Sequence, residues 1–183
     1  MLVAVVGPSG AGKDTLMAGA RDRLAGDARF LFVRRSITRP AEAGGEAHEA
    51  MTREAFVRIR DAGGFALWWE AHGLLYGVPR MIEPQMAAGR VAVANLSRGV
   101  LADAAARYRL RVLEITASPE IRAARLAARG REDAADRAAR VARVMELPPG
   151  IAVTTILNDG ALEDGIEAAI GMLTRAAEDA RRS

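Results

Sequence analysis

No cysteine occurs among the 183 residues, which excludes disulfides, thiol nucleophiles and cysteine-ligated metals. Aromatic residues make up only 4% of the chain, too few for the basic, ring-studded surfaces on which single-stranded nucleic acids stack. No apolar run approaches the roughly 20 residues of a membrane span. The opening MLVAVVGPSG lacks the basic start and the apolar stretch of about 7–15 residues found in a secretory leader. These absences predict a soluble, cytoplasmic protein with neither nucleic-acid nor membrane partners. Lysine is nearly absent. Lys13 is the only one, so 25 of the 26 basic residues are arginine. That bias explains a sequence isoelectric point near 10.1, because arginine scarcely titrates, while the net charge is only +3. Acidic residues are interspersed with the arginines, which reads as a solvated surface.

What is present is alternation. The length predicts one domain. Leu2 to Val6 is an apolar run of strand length, stopped by Gly7 and Pro8, as in a strand buried on both faces. A helix follows from Thr15, with Leu16, Ala20 and Leu24 on one face. Further strands are expected at Phe30–Val33, Phe65–Trp69, Val91–Ala94, Arg111–Ile115 and Ala152–Leu157. Helices are expected at Thr52–Asp61, Arg80–Ala88, Ser97–Arg107, Pro119–Met145 with a break at Gly130, and Leu162–Ala180. Phe56 and Ile59 should face inward, as should Leu162, Ile166, Ile170 and Leu173. Of the adjacent Trp68 and Trp69, one should pack inward. Strands separated by helices predict a parallel sheet covered on both faces.

The segment Gly7-Pro8-Ser9-Gly10-Ala11-Gly12-Lys13-Asp14-Thr15 carries the chemistry. It follows a buried strand and opens a helix, the context a phosphate-binding loop needs. Its glycines let backbone N–H groups turn inward around phosphate oxygens, and the helix start adds unpaired donors and the positive dipole end. Lys13 supplies an ammonium for the β- and γ-phosphates of ATP. One position departs from the pattern: Asp14 stands where Ser or Thr is expected as a magnesium ligand. Either Asp14 is tolerated through a bridging Mg2+, or Thr15 takes the hydroxyl role and Asp14 is a helix N-terminal charge. His48 and His72 lack metal-ligand spacing.

Downstream, Phe65-Ala-Leu-Trp-Trp-Glu-Ala-His-Gly-Leu-Leu-Tyr-Gly77 resembles the acceptor segment of the guanylate kinase family, F-x-E-W-x-E-x-H-G-x-x-Y-G. Ser36-Ile-Thr-Arg39-Pro40 resembles that family's acceptor-phosphate segment, with Gly45-Glu46 following. Arg125-Leu126, Arg129-Gly130 and Arg140 resemble lid arginines of nucleoside monophosphate kinases, and Asn158-Asp159 the segment near the adenine. The resemblance covers nearly the whole chain. It implies a three-layer α/β/α phosphate-loop fold as a single domain, with an acceptor-binding region at about 34–78 and a lid at about 125–143.

The departures narrow the acceptor. Glu42, Thr52, Leu67 and Asn95 replace, in turn, the family's second arginine, its tyrosine, the first glutamate of the acceptor segment and the guanine-reading aspartate. A site built to hydrogen-bond a base loses discrimination without those partners. Together with Asp14, the pattern is similar to the ribose 1,5-bisphosphate phosphokinase branch, which forms 5-phosphoribosyl 1-diphosphate from ATP and is associated with bacterial phosphonate catabolism. That resemblance implies Lys13 and Mg2+ on the ATP phosphates, and Arg125, Arg129 and Arg140 on transition-state charge. It implies Arg39 with Ser36 on an acceptor phosphate, Glu70 and Asn95 on ribose hydroxyls, and Tyr76 on a phosphate oxygen, with Glu46 also in the acceptor site. A guanylate kinase and a non-catalytic interaction module are the alternatives, and homo-oligomer formation is left open. Arg122 and Arg137 are read as solvated helix-face residues.

Overall fold

The computed structural model describes residues 1–40, 47–128 and 150–182. The apolar run at the N-terminus forms β1 (Leu2–Val6), every residue of it buried. It lies at the centre of a five-stranded sheet, between β7 (Val91–Asn95) and β8 (Leu110–Thr116), with β2 (Phe30–Phe32) and β9 (Ala152–Leu157) at the edges. All four pairings are parallel. A central parallel strand must be apolar on both sides, and β1 is. Val3 and Val5 face one cluster with α1 (Lys13–Arg23) and α6 (Leu162–Arg181), through Leu16, Ala20, Ile166, Ala169 and Leu173. Leu2, Ala4 and Val6 face the opposite cluster. That cluster holds Ile82 of α3 (Ile82–Ala87) and Leu101 and Ala104 of α4 (Leu101–Arg107). Each fully buried leucine in these layers contributes about 1.5–3 kcal/mol.

A second sheet has the order β4-β3-β6-β5. It comprises β3 (Ser36–Ile37), β4 (Glu49–Ala50), β5 (Phe65–Ala71) and β6 (Leu74–Pro79). β5 and β6 form an antiparallel hairpin with Ala71 opposite Leu74. Its two-residue turn, His72–Gly73, takes φ of 53° and 72°, the left-handed pair a tight hairpin demands. Helix α2 (Arg53–Asp61) closes this sheet, with Phe56 stacked on Phe65 at 4.4 Å between centroids.

The hairpin partner β6 and the two-residue strands β3 and β4 were not expected from periodicity. Two of the expected inward residues are exposed: Ile59 is 38% and Leu162 49% accessible. Leu162 opens α6, in the first turn and beyond the part of the helix that packs on the sheet. Of the expected helix from Pro119, α5 (Pro119–Ala128) is described; its continuation to Met145 lies outside the described residues. No helix among the described residues is long and apolar enough to cross a membrane.

Candidate active site

The loop between β1 and α1 takes positive φ at Gly7, Gly10 and Gly12 (148°, 81° and 87°). All three glycines are fixed by close neighbours as well as by dihedral angle, and a Cβ on Gly7 would overlap the Ile115 carbonyl oxygen. A Cβ on Gly10 would stand 2.8 Å from the Arg122 carbonyl oxygen, and one on Gly12 would stand 2.5 Å from Asn158 Nδ2. Gly12 caps α1 without a side-chain hydrogen bond, so the first turn of the helix presents its N–H groups toward the loop. Lys13 Nζ donates to the Pro8 carbonyl at 3.2 Å, which holds the ammonium over the loop.

Helix α5 and the residues after β9 brace this loop from behind. Asn158, 4% accessible, donates from Nδ2 to the Ala11 carbonyl at 2.8 Å. Arg125 donates from Nη1 to the same carbonyl at 3.4 Å. Asp159 accepts from the Ser118 N–H at 2.8 Å, tying the start of α5 to the strand end beside it. Arg122 corrects the sequence reading. It is only 8% accessible rather than solvated, and its Nε donates to the Ser9 carbonyl at 3.2 Å. Burial, then the charge of Arg98, pushes its pKa down. Arg98 is itself paired with Glu114 at 2.8 Å.

On the other side of α1 a cavity of about 420 Å³ opens, within the size range of small-ligand sites. Asp14, Met17, Ala18 and Arg21 line it from the helix, at the i, i+3, i+4, i+7 spacing of a single face. Val5, Phe32, Val93 and Asn95 supply sheet residues, and Val33, Arg34 and Ala47 complete the lining. Asn95, at the end of β7, donates from Nδ2 to Asp14 Oδ1 at 3.1 Å. Arg34 donates to the His48 carbonyl at 2.8 Å. Among the described residues the polar lining is therefore two guanidinium groups, one carboxylate and one carboxamide. Sequence reasoning missed Arg21 and Arg34; the helical spacing from Asp14 could have found Arg21, and no signal pointed to Arg34.

Of the expected acceptor residues, Asn95 lines this cavity, and there it meets Asp14, which was expected on the ATP and Mg2+ side. Ser36, Arg39, Glu70 and Tyr76 are not part of its lining. Ser36 is buried in β3. Arg39 approaches His48 Nδ1 through Nη2 at 3.4 Å, while His48 Nε2 meets the Arg39 carbonyl at 3.1 Å. Both contacts are satisfied by a neutral ring with its proton on Nε2. Glu70 forms an exposed pair with Arg53 at 3.2 Å. Tyr76 stacks on Trp69 at 5.4 Å, nearly parallel, and the Arg35 guanidinium lies 5.4 Å and 5.2 Å from those two ring centres. Leu67 shares the apolar cluster with Trp69 and is 1% accessible. Thr15 is exposed. Glu42, Glu46, Arg129, Arg137 and Arg140 lie outside the described residues.

No family model matches the chain. It is, however, 52% identical over 164 residues to the ribose 1,5-bisphosphate phosphokinase PhnN of Pseudofrankia inefficax, covering 89% of this chain and 85% of that protein. It is 48% identical over 171 residues to the bifunctional ribose 1,5-bisphosphokinase-thymidine phosphorylase of Azorhizobium caulinodans. That match takes in 92% of this chain and only 25% of the bifunctional protein, so the chain spans about a quarter of that relative's length. In three dimensions it is similar to guanylate kinase from Anaplasma phagocytophilum, with a TM-score of 0.68 over 97% of this chain and 85% of the other, at 19% identity. That likeness shows the phosphate-loop α/β fold. With half its residues shared over most of both lengths, this chain belongs to the ribose 1,5-bisphosphate phosphokinase family.

Proposed function

We propose that this chain transfers the γ-phosphoryl group of ATP to the 1-phosphate of α-D-ribose 1,5-bisphosphate, giving 5-phosphoribosyl 1-diphosphate and ADP. An oxygen of the acceptor phosphate forms the new bond to the γ-phosphorus as the bond to the β-phosphate oxygen breaks. The attacking oxygen is already anionic, so no general base is required. The protein's task is to align two phosphates and to neutralise the charge they concentrate. Residues Gly7 to Thr15 hold the ATP phosphates, with Lys13 reaching the transferred group. Arg125, Arg129 and Arg140 are assigned to the transition-state charge, for which the planar guanidinium fork is suited.

The acceptor assignment rests on the absence of hydrogen-bonding groups for a base at positions where guanylate kinases carry them, Leu67 above all. Leu67, in place of a glutamate, is packed in the apolar cluster beside Trp69, and Arg35 lies over the Trp69 and Tyr76 rings. The polar cavity next to the loop carries Arg21 and Arg34 for phosphate and Asn95 for a hydroxyl, which matches a phosphorylated sugar. Ser36 and Arg39 remain proposed phosphate contacts from the neighbouring sheet, with Tyr76, and Glu46 and Glu70 remain proposed acceptor-site residues. Mg2+ characteristically takes one or two carboxylates and completes its shell with phosphate oxygens and water. The oxygens of Asp14 and Thr15 on the first turn of α1 are the donors of that kind beside the loop, and a bound ion would withdraw charge from the nucleotide phosphates. The proposed location is cytoplasmic.

The test is an ADP-release assay with ribose 1,5-bisphosphate and GMP side by side. Turnover of the bisphosphate and not of GMP is the expected result. Efficient GMP turnover with an inert bisphosphate would overturn the acceptor assignment.

A further inference from the structure

Asp14 is the one residue of the phosphate-loop segment whose chemistry conflicts with its neighbours' task. A carboxylate repels the polyphosphate that the loop is built to hold, yet this one sits directly after Lys13. Helix geometry separates the two. Consecutive residues on an α-helix point about 100° apart, so Lys13 turns back over the loop while Asp14 turns to the cavity. The structure bears this division out. Lys13 Nζ lies on the Pro8 carbonyl, and Asp14 lines the cavity with Met17, Ala18 and Arg21.

From this geometry we infer that Asp14, held by Asn95, belongs to the acceptor side and binds the vicinal hydroxyls of the ribose. The inference rests on the sugar-bisphosphate reading above and assigns Asp14 to the sugar in place of the magnesium ion. A carboxylate offers about four lone-pair sites. The Asn95 amide takes one of them, on Oδ1, which fixes the carboxylate plane and leaves the remaining sites for two O–H donors on adjacent carbons. A phosphate offers no such donors. The cavity's cations, Arg21 and Arg34, complement the phosphates, and among the described residues Asp14 is the only acidic group in its lining. Asn95 places the same constraint from the strand side, across the gap between β7 and α1. The Ser or Thr that the loop pattern asks for is too short, and offers too few acceptors, to fix both hydroxyls.

The experiment compares ribose 1,5-bisphosphate with 2-deoxyribose 1,5-bisphosphate as acceptors for the wild type, Asp14→Ser and Asn95→Ala. The magnesium concentration for half-maximal rate is measured on the same proteins. A site built around a hydroxyl rejects the analogue lacking it, so the wild type should favour ribose in kcat/KM by about tenfold or more. Asp14→Ser should bring the two acceptors close to parity with the magnesium requirement unchanged. Asn95→Ala should weaken the preference in the same direction. If Asp14→Ser turns over neither acceptor, calorimetric titration of each bisphosphate without nucleotide or magnesium decides. Loss of the preference in binding supports the assignment, and an undiminished preference overturns it. A preserved ribose preference in Asp14→Ser, with or without a raised magnesium requirement, also overturns it, as does a wild type indifferent to the 2-hydroxyl. A wild type that turns over neither sugar overturns the proposed function itself, and the assignment of Asp14 with it.

Discussion

Gly12→Ala is the sharpest probe of how the phosphate-binding loop is held. Gly12 lies at φ 87°, and placing a side chain in that left-handed conformation costs about 1–2 kcal/mol. The added Cβ would come 2.5 Å from Asn158 Nδ2, closer than real contacts allow, so the carboxamide must leave the Ala11 carbonyl it meets at 2.8 Å. A buried group deprived of its partner costs about 1–3 kcal/mol, with part recovered through the longer Arg125 bond to the same carbonyl. The two contributions total about 2–5 kcal/mol, equivalent to a fall in Tm of about 4–20 °C for a domain of this size. Thermal and urea unfolding of Gly12→Ala, Asn158→Ala and the double variant would measure this directly. Asn158→Ala removes the colliding group, so the double variant should be more stable than the sum of the single losses by about 1–3 kcal/mol. Calorimetric ATP titration should show weakened binding in Gly12→Ala. A Gly12→Ala protein that melts with the wild type, or single effects that simply add, would refute the reasoning.

Lys13→Ala should lower turnover by about 100-fold or more through loss of a preorganised charge, measured by ADP release at saturating substrates; near-wild-type kcat would contradict the loop assignment. Arg34→Ala should raise KM for the acceptor and leave KM for ATP nearly unchanged, because Arg34 lines the cavity and not the loop. Arg122→Leu should raise KM for ATP with little change in the urea midpoint, since an apolar replacement also removes the cost of burying the guanidinium. Tyr108 donates to Glu83 at 2.6 Å, and burial, followed by that bond, pushes its pKa up to about 12 from 10.0. Its neutral form is thus favoured by folding, a contribution present below pH 10.0 and lost as pH rises toward about 12. Tyr108→Phe should be less stable than the wild type at neutral pH, and the gap should close between pH 10 and 12 in urea titrations.

The main sheet was legible because its strands are apolar runs bounded by glycine, proline or charge. Leu2–Val6 and Val91–Asn95 are buried nearly throughout, and only length is needed to recognise such strands. The acceptor-side sheet was harder to read. β3 and β4 have two residues each, too few for any period, and β6 contains Gly77 and Pro79, which read as loop. Its hairpin turns on His72–Gly73, and histidine is not the residue that advertises positive φ. The phosphate-binding loop could be read residue by residue because its chemistry is local. The cavity could not, since Arg21, Arg34 and Asn95 converge only after α1 is packed beside β7. Arg122 was misread because helical spacing reports which residues share a face but not that Ser9 lies against that face.

Trp68 and Trp69 are the only tryptophans, and adjacent residues of a strand point to opposite sides. Trp68 is 46% accessible and lies beneath Arg60, whereas Trp69 is 9% accessible and stacks on Tyr76. The intrinsic emission of the protein should therefore resolve into a red-shifted component open to acrylamide and a bluer one shielded from it. The shielded indole is an optical gauge, fitted without labelling, of whether the acceptor-side sheet keeps its packing through each step of a catalytic cycle.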